Sequence, residues 1–330
     1  KLFDFYVIDD EISIANKRLM RETLKEYDAK LHFLTIDKKY FSDAVESERI
    51  PETAYYRIAI PELFSDQDLE RILYLDCDMI ALGDISELWE IDLSDYTLAA
   101  VEDAGFHHRL EKMDIACSST KYFNSGFMLI NMEKWLTGNV TKRVMKFIHD
   151  NPEKLKFHDQ DALNAILHDQ WLQLHPKWNA QSYIMKREVE HPDPEGEKEY
   201  FETRRDPKII HYSGHVKPWS PEFTSSLKKY YEEYEELTAF TDEEEVSVAK
   251  ASSTNLVNAM NCTNEIKGGK ITMVNVFKNT WDRPKNHSRY HKSNKKNAAK
   301  KDSAVRSLLF KILSVFVIGF LTKKIKERKK

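Results

Sequence analysis

Two carboxylates one residue apart, Asp76 and Asp78, are the feature of this chain that most directly suggests chemistry. They come directly after the apolar run 71–75, a pattern typical of a buried parallel strand. Ligands of open α/β sheets bind just beyond the carboxyl ends of such strands, and carboxylate oxygens suit a hard divalent cation. We therefore predict a metal site here. The D-x-D pattern itself is weak evidence, since it also occurs at 66–68 and 159–161.

A histidine follows a second predicted strand end. The short apolar run 207–210 is followed by His211, and Gly214 and Lys217 come soon after it. Two carboxylates and an imidazole suit manganese or zinc and leave coordination positions open for a substrate phosphate. Gly214 would let the backbone approach a ligand, and Lys217 is a point charge suited to a diphosphate. The alternative is a hydrogen-bonded core histidine beside a solvated lysine, and the paired carboxylates favour the metal site over it.

The D-x-D tripeptide at 159–161 opens a helical pattern. Asp159, Gln160 and Asp161 precede the run 162–167. One interpretation is structural, because acids cap a helix and interact favourably with the positive end of its dipole. We expect that role for one of the two acids in any case. Gln160, between them, offers a hydrogen-bond donor and an acceptor without charge.

Strands and helices alternate along the chain, which predicts an α/β fold with a largely parallel central sheet flanked by helices. Apolar runs indicate the strands, and periodic apolar residues indicate the helices. The predicted strands are 2–10, 31–36, 71–75, 96–101 and 127–131, and the predicted helices are 13–27, 51–61 and 162–167.

Three further polar residues lie in or beside these elements. Arg57 falls in the second predicted helix and could reach a phosphate, although an arginine on a helix is most often solvated or salt-bridged at the surface. Asp103 follows the strand 96–101, and Asn124 precedes the strand 127–131.

Length, charge and cysteine content limit the class of protein. A chain of 330 residues can bury one large α/β core with a tail left over. The net charge is −4, but the stretch 292–330 holds 13 Lys and Arg against 2 acids. The rest of the chain is therefore acidic, and we expect no nucleic-acid binding by the core. The three widely spaced cysteines argue for a reducing compartment without a disulfide framework or structural zinc. No signal peptide opens the chain.

The composition changes after residue 237. We predict a main domain at 1–237, a linker or partly disordered extension at 238–300, and a basic amphipathic tail at 301–330. The apolar stretch 307–321 contains Lys311 and is shorter than the roughly 20 residues that span a bilayer. Its basic flanks favour a helix lying on an anionic leaflet, which predicts a cytoplasmic protein peripheral on the inner face of the cell membrane. The alternative is a core helix of a C-terminal subdomain.

Four motifs together carry a resemblance to a known family. They are YLDCD at 74–78, YFNSG at 122–126, HDQDALN at 158–164 and HYSGHVKPW at 211–219. In this order and spacing they resemble glycosyltransferase family 8, the retaining enzymes with a GT-A fold that include lipopolysaccharide galactosyl- and glucosyltransferases and glycogenin. The likeness covers roughly residues 1–235. It implies a GT-A type α/β fold followed by a C-terminal extension.

The resemblance implies a metal-dependent hexosyltransferase. The donor would be a UDP-hexose carrying glucose or galactose, and the acceptor a cell-envelope glycan, a glycolipid or a glycoprotein. Mn²⁺, with Mg²⁺ as the alternative, would be held by Asp76, Asp78 and His211. Gly214 and Lys217 would contact the diphosphate. A cation bridging the phosphates stabilises the charge that develops on the leaving group.

The resemblance also implies where the sugar binds. Asp159 and Gln160 would line the donor-sugar site as catalytic candidates, with Gln160 beside the reacting carbon. Retention is expected through same-face attack, in which the leaving phosphate accepts the proton of the acceptor, because no motif residue suits the carboxylate nucleophile of a double displacement. The remaining substrate-binding candidates are Asp9, Arg57, Asp103 and Asn124.

The beginning of the chain departs from the family. Lys1 is not a start methionine, and the first predicted strand resembles the family's second strand. We therefore expect that the family's first strand, which helps to hold the nucleotide base, is absent and that the chain is a fragment of a longer gene product.

Two other functions remain open at this stage. D-x-D with histidine also serves metal-dependent nucleotidyltransferases and phosphoesterases, but such sites often use two metals with added carboxylates or histidines, and the sequence shows no added cluster near the motifs. A non-catalytic membrane-bound module is the third hypothesis. Sugar release from a UDP-hexose would distinguish the three.

Overall fold

The computed structural model describes residues 3–36, 55–119, 121–240 and the strand 271–278. Within these residues the chain forms strands and helices in alternation. The strands are β1 (Phe3–Asp10), β2 (Ala29–Leu34), β3 (Arg71–Leu75), β4 (Met79–Ala81), β5 (Leu98–Ala100), β6 (Phe127–Asn131), β7 (Trp171–Gln173), β8 (Ala180–Gln181), β9 (Ile209–His211) and β10 (Ile271–Lys278). The helices are α1 (Ile14–Leu24), α2 (Tyr56–Leu63), α3 (Arg109–Lys112), α4 (Met132–Thr137), α5 (Val140–Asp150), α6 (His158–Leu167), α7 (Ser182–Met185), α8 (Pro194–Arg205) and α9 (Lys228–Glu235).

A seven-stranded sheet forms the centre of the fold, in the order β2-β1-β10-β3-β6-β5-β7. Four of its six strand pairings are parallel, and the two that involve β6 are antiparallel. The prediction of a mostly parallel sheet flanked by helices is confirmed. The apolar run 71–75 is a buried strand of this sheet, as its composition indicated.

Alternate side chains of β3 point to opposite faces of the sheet. Leu73 and Leu75 belong to one apolar cluster, which contains buried residues of α1 and α9. Ile72 and Tyr74 belong to the other, which contains buried residues of α2, α5 and α6. Burying a side chain of this size contributes about 1.5–3 kcal/mol, so the two helical layers fix the strand that precedes the carboxylates.

The central place between β1 and β3 is taken by the backbone of β10. It runs parallel to both neighbours, with Asp10 opposite Lys278 and Tyr74 opposite Val274. This strand lies within 238–300, which the composition predicted to be a linker or a partly disordered extension. It pairs with β1, the strand that resembles the family's second strand and beside which the first was expected to be absent. Averaged over 238–300, the composition did not reveal a short segment rich in β-branched and apolar residues, which favour strands.

A second, three-stranded sheet has the order β4-β9-β8. β4 and β9 pair antiparallel, with Met79 opposite His211. The Tyr212 N–H donates to the carbonyl oxygen of Asp78 at 2.8 Å. This pairing brings a histidine 133 positions later in the chain next to the paired carboxylates, because β4 begins directly after Asp78.

The basic tail predicted at 301–330 lies outside the described residues. In the part of the chain that the structure describes, helices are too short or too polar to cross a bilayer.

Candidate active site

The first carboxylate, Asp76, lies in the turn between β3 and β4 and is held from three sides. Its N–H donates to the carbonyl of Gly126 at 2.8 Å. The Tyr74 hydroxyl donates to Asp76 Oδ1 at 2.6 Å, and Arg57 NH2 lies 3.1 Å from the same oxygen. The Oδ2 oxygen faces Gly126, where an added Cβ would come within 2.7 Å of it and within 2.8 Å of His211 Cε1. Glycine at the start of β6 therefore keeps this corner open.

The second carboxylate, Asp78, is buried between two basic side chains. His211 Nε2 lies 3.3 Å from Asp78 Oδ1, and Lys217 Nζ donates to Asp78 Oδ2 and to the Tyr212 carbonyl. Burial alone would raise the pKa of Asp78, but the positive charges and hydrogen bonds of Lys217 and His211 hold it well below its usual range. The carboxylate is therefore ionised, as a metal ligand must be.

The protonation of His211 is set through a row of amides. Asp103 Oδ2 accepts only, so Asn124 directs its Nδ2 toward it at 3.0 Å. Asn124 Oδ1 then accepts from Asn179 Nδ2 at 2.9 Å, which turns Asn179 Oδ1 toward His211 Nδ1 at 2.9 Å. His211 Nδ1 therefore carries a proton in this arrangement, and Nε2 is the nitrogen that faces Asp78. This is how outer-shell partners orient a metal-binding histidine.

The residues present fit a divalent cation. One ligand atom from each of Asp76, Asp78 and His211 lies within 4.8 Å of the others. Asp78 Oδ1 is buried and has no well-aligned hydrogen bond within the described residues, a costly state unless another group satisfies it. Two carboxylates and one imidazole could hold such an ion and leave positions open for a substrate.

A second group of polar residues lies beside this corner. Gln160 Nε2 donates to Asp103 Oδ2 at 3.0 Å, and Gln160 Oε1 accepts from the Ser125 N–H at 3.0 Å. Asn124 Nδ2 is 3.3 Å from Gln160 Oε1. Because an acceptor faces its amide nitrogen and donors face its amide oxygen, the orientation of Gln160 is fixed. Sequence reasoning placed Gln160, Asp103 and Asn124 in one site, and the structure brings all three together.

Arg57 links the two groups. Its Nε lies 3.1 Å from Asp159 Oδ2, and its NH2 lies 3.1 Å from Asp76 Oδ1. Its NH1 donates to the carbonyl of Ser125 at 3.0 Å. Of the roles considered from the sequence, a solvated surface arginine is wrong, because the side chain is only 12% exposed and pairs with Asp76 and the buried Asp159. Tertiary packing turned this side chain inward, and the apolar periodicity that predicts a helix does not indicate such contacts.

The buried carboxylate of Asp159 and the half-buried carboxylate of Asp76 share the single guanidinium of Arg57. Burial raises the pKa of Asp159 to about 6, with Arg57 acting to lower it and the negative charge of Asp76 acting to raise it further. Asp159 therefore exchanges a proton closer to neutral pH than an exposed aspartate does.

The structural role in this tripeptide belongs to Asp161. Arg109 makes two bonds of 2.9 Å to its carboxylate, and the Tyr122 hydroxyl donates to it at 2.9 Å. Asp161 Oδ2 also accepts from the Phe157 N–H at 2.6 Å, although α6 begins at His158 without a side-chain cap. The expectation that one acid stabilises the helix start is met by Asp161, which leaves Asp159 to face Arg57.

Two candidates lie in other surroundings. Asp9 accepts from the Ile12 N–H at 2.8 Å and pairs with Lys17 on α1, so its described contacts are with its own loop and helix. A Cβ added to Gly214 would meet nothing within 4 Å, so no close approach of described protein atoms requires glycine there. Both residues stay predictions as substrate contacts. Sequence reasoning also missed Asn179, which lies outside every motif and reaches His211 only through the pairing of β8 with β9.

Known proteins are similar to this chain in sequence and in fold. The model of glycosyl transferase family 8 matches residues 1–222. General stress protein A of Bacillus subtilis is 45% identical over 238 residues, which cover 72% of this chain and 82% of that protein. Lipopolysaccharide 1,2-glucosyltransferase of Escherichia coli is 29% identical over 221 residues, which cover 66% of this chain and 64% of that protein.

A solved structure extends the likeness to the fold. The galactosyltransferase LgtC, in complex with donor and acceptor sugar analogues, matches 74% of this chain and 99% of its own with a TM-score of 0.59 and 20% identity. That match confirms the predicted GT-A architecture, and the family model covers well over half of the chain. The chain therefore belongs to glycosyl transferase family 8 and is a glycosyltransferase.

Proposed function

We propose that this glycosyltransferase transfers glucose or galactose from a UDP-hexose, with a divalent cation, Mn²⁺ or Mg²⁺, at Asp76, Asp78 and His211. The observation that supports this most is the corner itself, in which the carboxylates of Asp76 and Asp78 and an oriented imidazole meet. A divalent cation bound there supplies positive charge to the leaving diphosphate.

Lys217 is the residue best placed to bind the diphosphate. Its ammonium is next to Asp78 at the same corner, and the surrounding negative charges raise its pKa against the effect of burial. It therefore carries a full positive charge near the proposed cation. A phosphate oxygen can replace Asp78 as its partner without leaving the ammonium unpaired.

Gln160 and its neighbours form the proposed wall for the donor sugar. Their hydrogen bonds hold each amide in one orientation, and fixed donors and acceptors suit sugar hydroxyls. Asp159 is paired with Arg57, and Asp103 Oδ2 already accepts two amide N–H groups. Neither is an unengaged ionised carboxylate of the kind that a double displacement requires, which supports same-face attack with retention.

The acceptor proposed is a cell-envelope glycan or glycolipid, with a glycoprotein as the alternative. The support is the similarity to enzymes named for lipopolysaccharide glucosyl and galactosyl transfer. The basic sequence at 301–330 supports a place on the anionic inner face of the membrane.

The test is the release of sugar and nucleotide by the full chain. UDP-glucose and UDP-galactose are each incubated with protein and Mn²⁺, and free UDP, hexose and phosphate are separated by chromatography. UDP with free or transferred hexose, lost on adding EDTA, is the expected result. Release of UMP or inorganic phosphate would instead support a phosphoesterase. A chain that turns over neither sugar nucleotide would contradict the proposed donor.

A further inference from the structure

A second cluster of metal-ligand side chains lies outside the proposed active site. Glu102 follows β5, His107 lies in the loop before α3, and His191 precedes α8. One ligand atom from each lies within 4.8 Å of the others. His107 Nδ1 is 2.9 Å from Glu102 Oε1, and His191 Nε2 is 3.5 Å from Glu102 Oε2. Two ligand atoms of a tetrahedral zinc site are about 3.3 Å apart, and these two separations, which end on different oxygens of Glu102, are of similar size.

The carboxylate of this cluster is buried. Glu102 is 7% exposed, and its ion-pair partners in the described part of the chain are His107 and His191. The carboxylate lies between two imidazoles, and a bound cation would compensate a negative charge buried there.

Each histidine turns one ring nitrogen toward Glu102, Nδ1 in His107 and Nε2 in His191. The backbone of Asp193 fixes the ring of His191, because its N–H donates to Nδ1 at 3.0 Å and its carbonyl oxygen lies 3.1 Å from the same nitrogen. A backbone carbonyl in this position is a usual outer-shell partner of a metal-bound histidine. The other ring nitrogen of His107, Nε2, is buried and has no hydrogen-bond partner among the described residues.

The surrounding backbone is shaped around His191. A Cβ added to Gly196 would come within 2.2 Å of His191 Nδ1, so any other residue at this point of α8 would displace the ring. On its open side His191 borders a cavity of about 250 Å³, which Gln173 and Glu199 also line. The cavity gives space for the water that completes a site with three protein ligands.

We propose that Glu102, His107 and His191 form a second cation site, specific for Zn²⁺ or a similar borderline ion. Two imidazoles and one carboxylate are a zinc ligand set, whereas the two carboxylates at the first corner favour a harder ion. The ion joins the loop before α3 to the segment before α8. It also fixes Glu102, the neighbour of Asp103 in the proposed sugar wall.

The test is direct zinc binding by the full, tag-free chain. Calorimetry with Zn²⁺ is run on Asp78→Asn, which removes a ligand of the first corner, so that the result does not depend on glycosyl transfer. This protein should bind one zinc. Adding His191→Ala or His107→Ala should weaken binding at least as much as loss of an outer-shell partner does, by about 10- to 100-fold. His108→Ala, beside the cluster on an exposed side chain, should leave it unchanged.

A change of ligand field provides the second measurement. Co²⁺ in place of Zn²⁺ should give the intense visible absorption of four-coordinate cobalt in Asp78→Asn, and Glu102→Gln, which preserves shape, should abolish it. Should the alanine variants fail to fold by circular dichroism, Glu102→Gln decides the matter. Zinc affinity retained in the folded His191→Ala, His107→Ala or Glu102→Gln protein would overturn the second site.

Discussion

The two carboxylate–histidine clusters of this chain are built by different means. The cluster of Asp76, Asp78 and His211 lies where strands end, and Lys217 and Arg57 bring positive charge to it. The second cluster takes its three side chains from separate loops, and Glu102 there has histidines as its ion-pair partners. This difference shows how a site at strand ends can hold many charged side chains close together. The rigid backbone fixes their positions, and nearby charges of opposite sign offset the repulsion between like charges.

The largest expected effect is at the first cluster. Asp78→Asn keeps the size of the side chain but removes a charged ligand, so transfer should fall on the order of 1000-fold, in line with the several kcal/mol that a metal contributes. Turnover of UDP-hexose with Mn²⁺ measures this. Glu102→Gln is the matched change in the other cluster and should cost far less. Equal losses in the two variants would erase the distinction between the clusters.

Gln160 belongs to the proposed sugar wall, and its loss should affect chemistry more than nucleotide binding. Gln160→Ala should lower kcat by about 100-fold while changing the Kd for UDP little, because an interaction made with the sugar is felt mainly in the transition state. The control is Gln67→Ala. Gln67 lies between Asp66 and Asp68, in an exposed tripeptide with the same sequence as 159–161. A fall in UDP affinity as large as the fall in kcat would place Gln160 at the nucleotide.

The row of amides makes His211 depend on Asn179. Asn179→Ala should weaken Mn²⁺ binding by about 10- to 100-fold, the range for lost outer-shell partners of a metal ligand. Asn179→Asp restores an acceptor for His211 Nδ1 and should recover part of the affinity. Titration of Mn²⁺ by electron paramagnetic resonance gives both values. Affinity unchanged in Asn179→Ala would show that the histidine is oriented by other means.

The smallest expected effect is on stability. Because burial raises the pKa of Asp159 to about 6, the native state holds its proton to higher pH than the unfolded chain does. Stability should therefore fall as pH rises from about 4 to about 6, by roughly 2 kcal/mol. Asp159→Asn should flatten this part of the curve in urea unfolding of EDTA-treated protein. A wild-type curve already flat between these values would mean that Arg57 keeps Asp159 ionised.

Local patterns in the sequence predicted the elements that carry the chemistry. The apolar run before Asp76 is β3, and the run before His211 is β9. Ser13, at the start of the first predicted helix, is the N-cap of α1 and accepts from the Asn16 N–H. Such features depend on neighbours a few residues apart, where periodicity and capping chemistry act.

Those local patterns did not predict contacts between side chains that are far apart in the chain. Nothing in the sequence near Arg57 says that it will bridge Asp76 and Asp159, and nothing near Glu102 says that His191 will meet it. These contacts depend on which strands and loops become neighbours. The cluster that the sequence analysis did not find is of this second kind.

By itself, the sequence determined that Asp76, Asp78, Gln160 and His211 follow or open regular elements in the order of a known family, since strand ends and helix starts are encoded by local apolar patterns. Only the tertiary structure decided which of these residues touch. The pairing of β4 with β9 brought His211 to Asp78, and the central sheet took its inner strand from 271–278. Strand pairing joins backbone to backbone whatever the distance along the chain, so local sequence does not specify it.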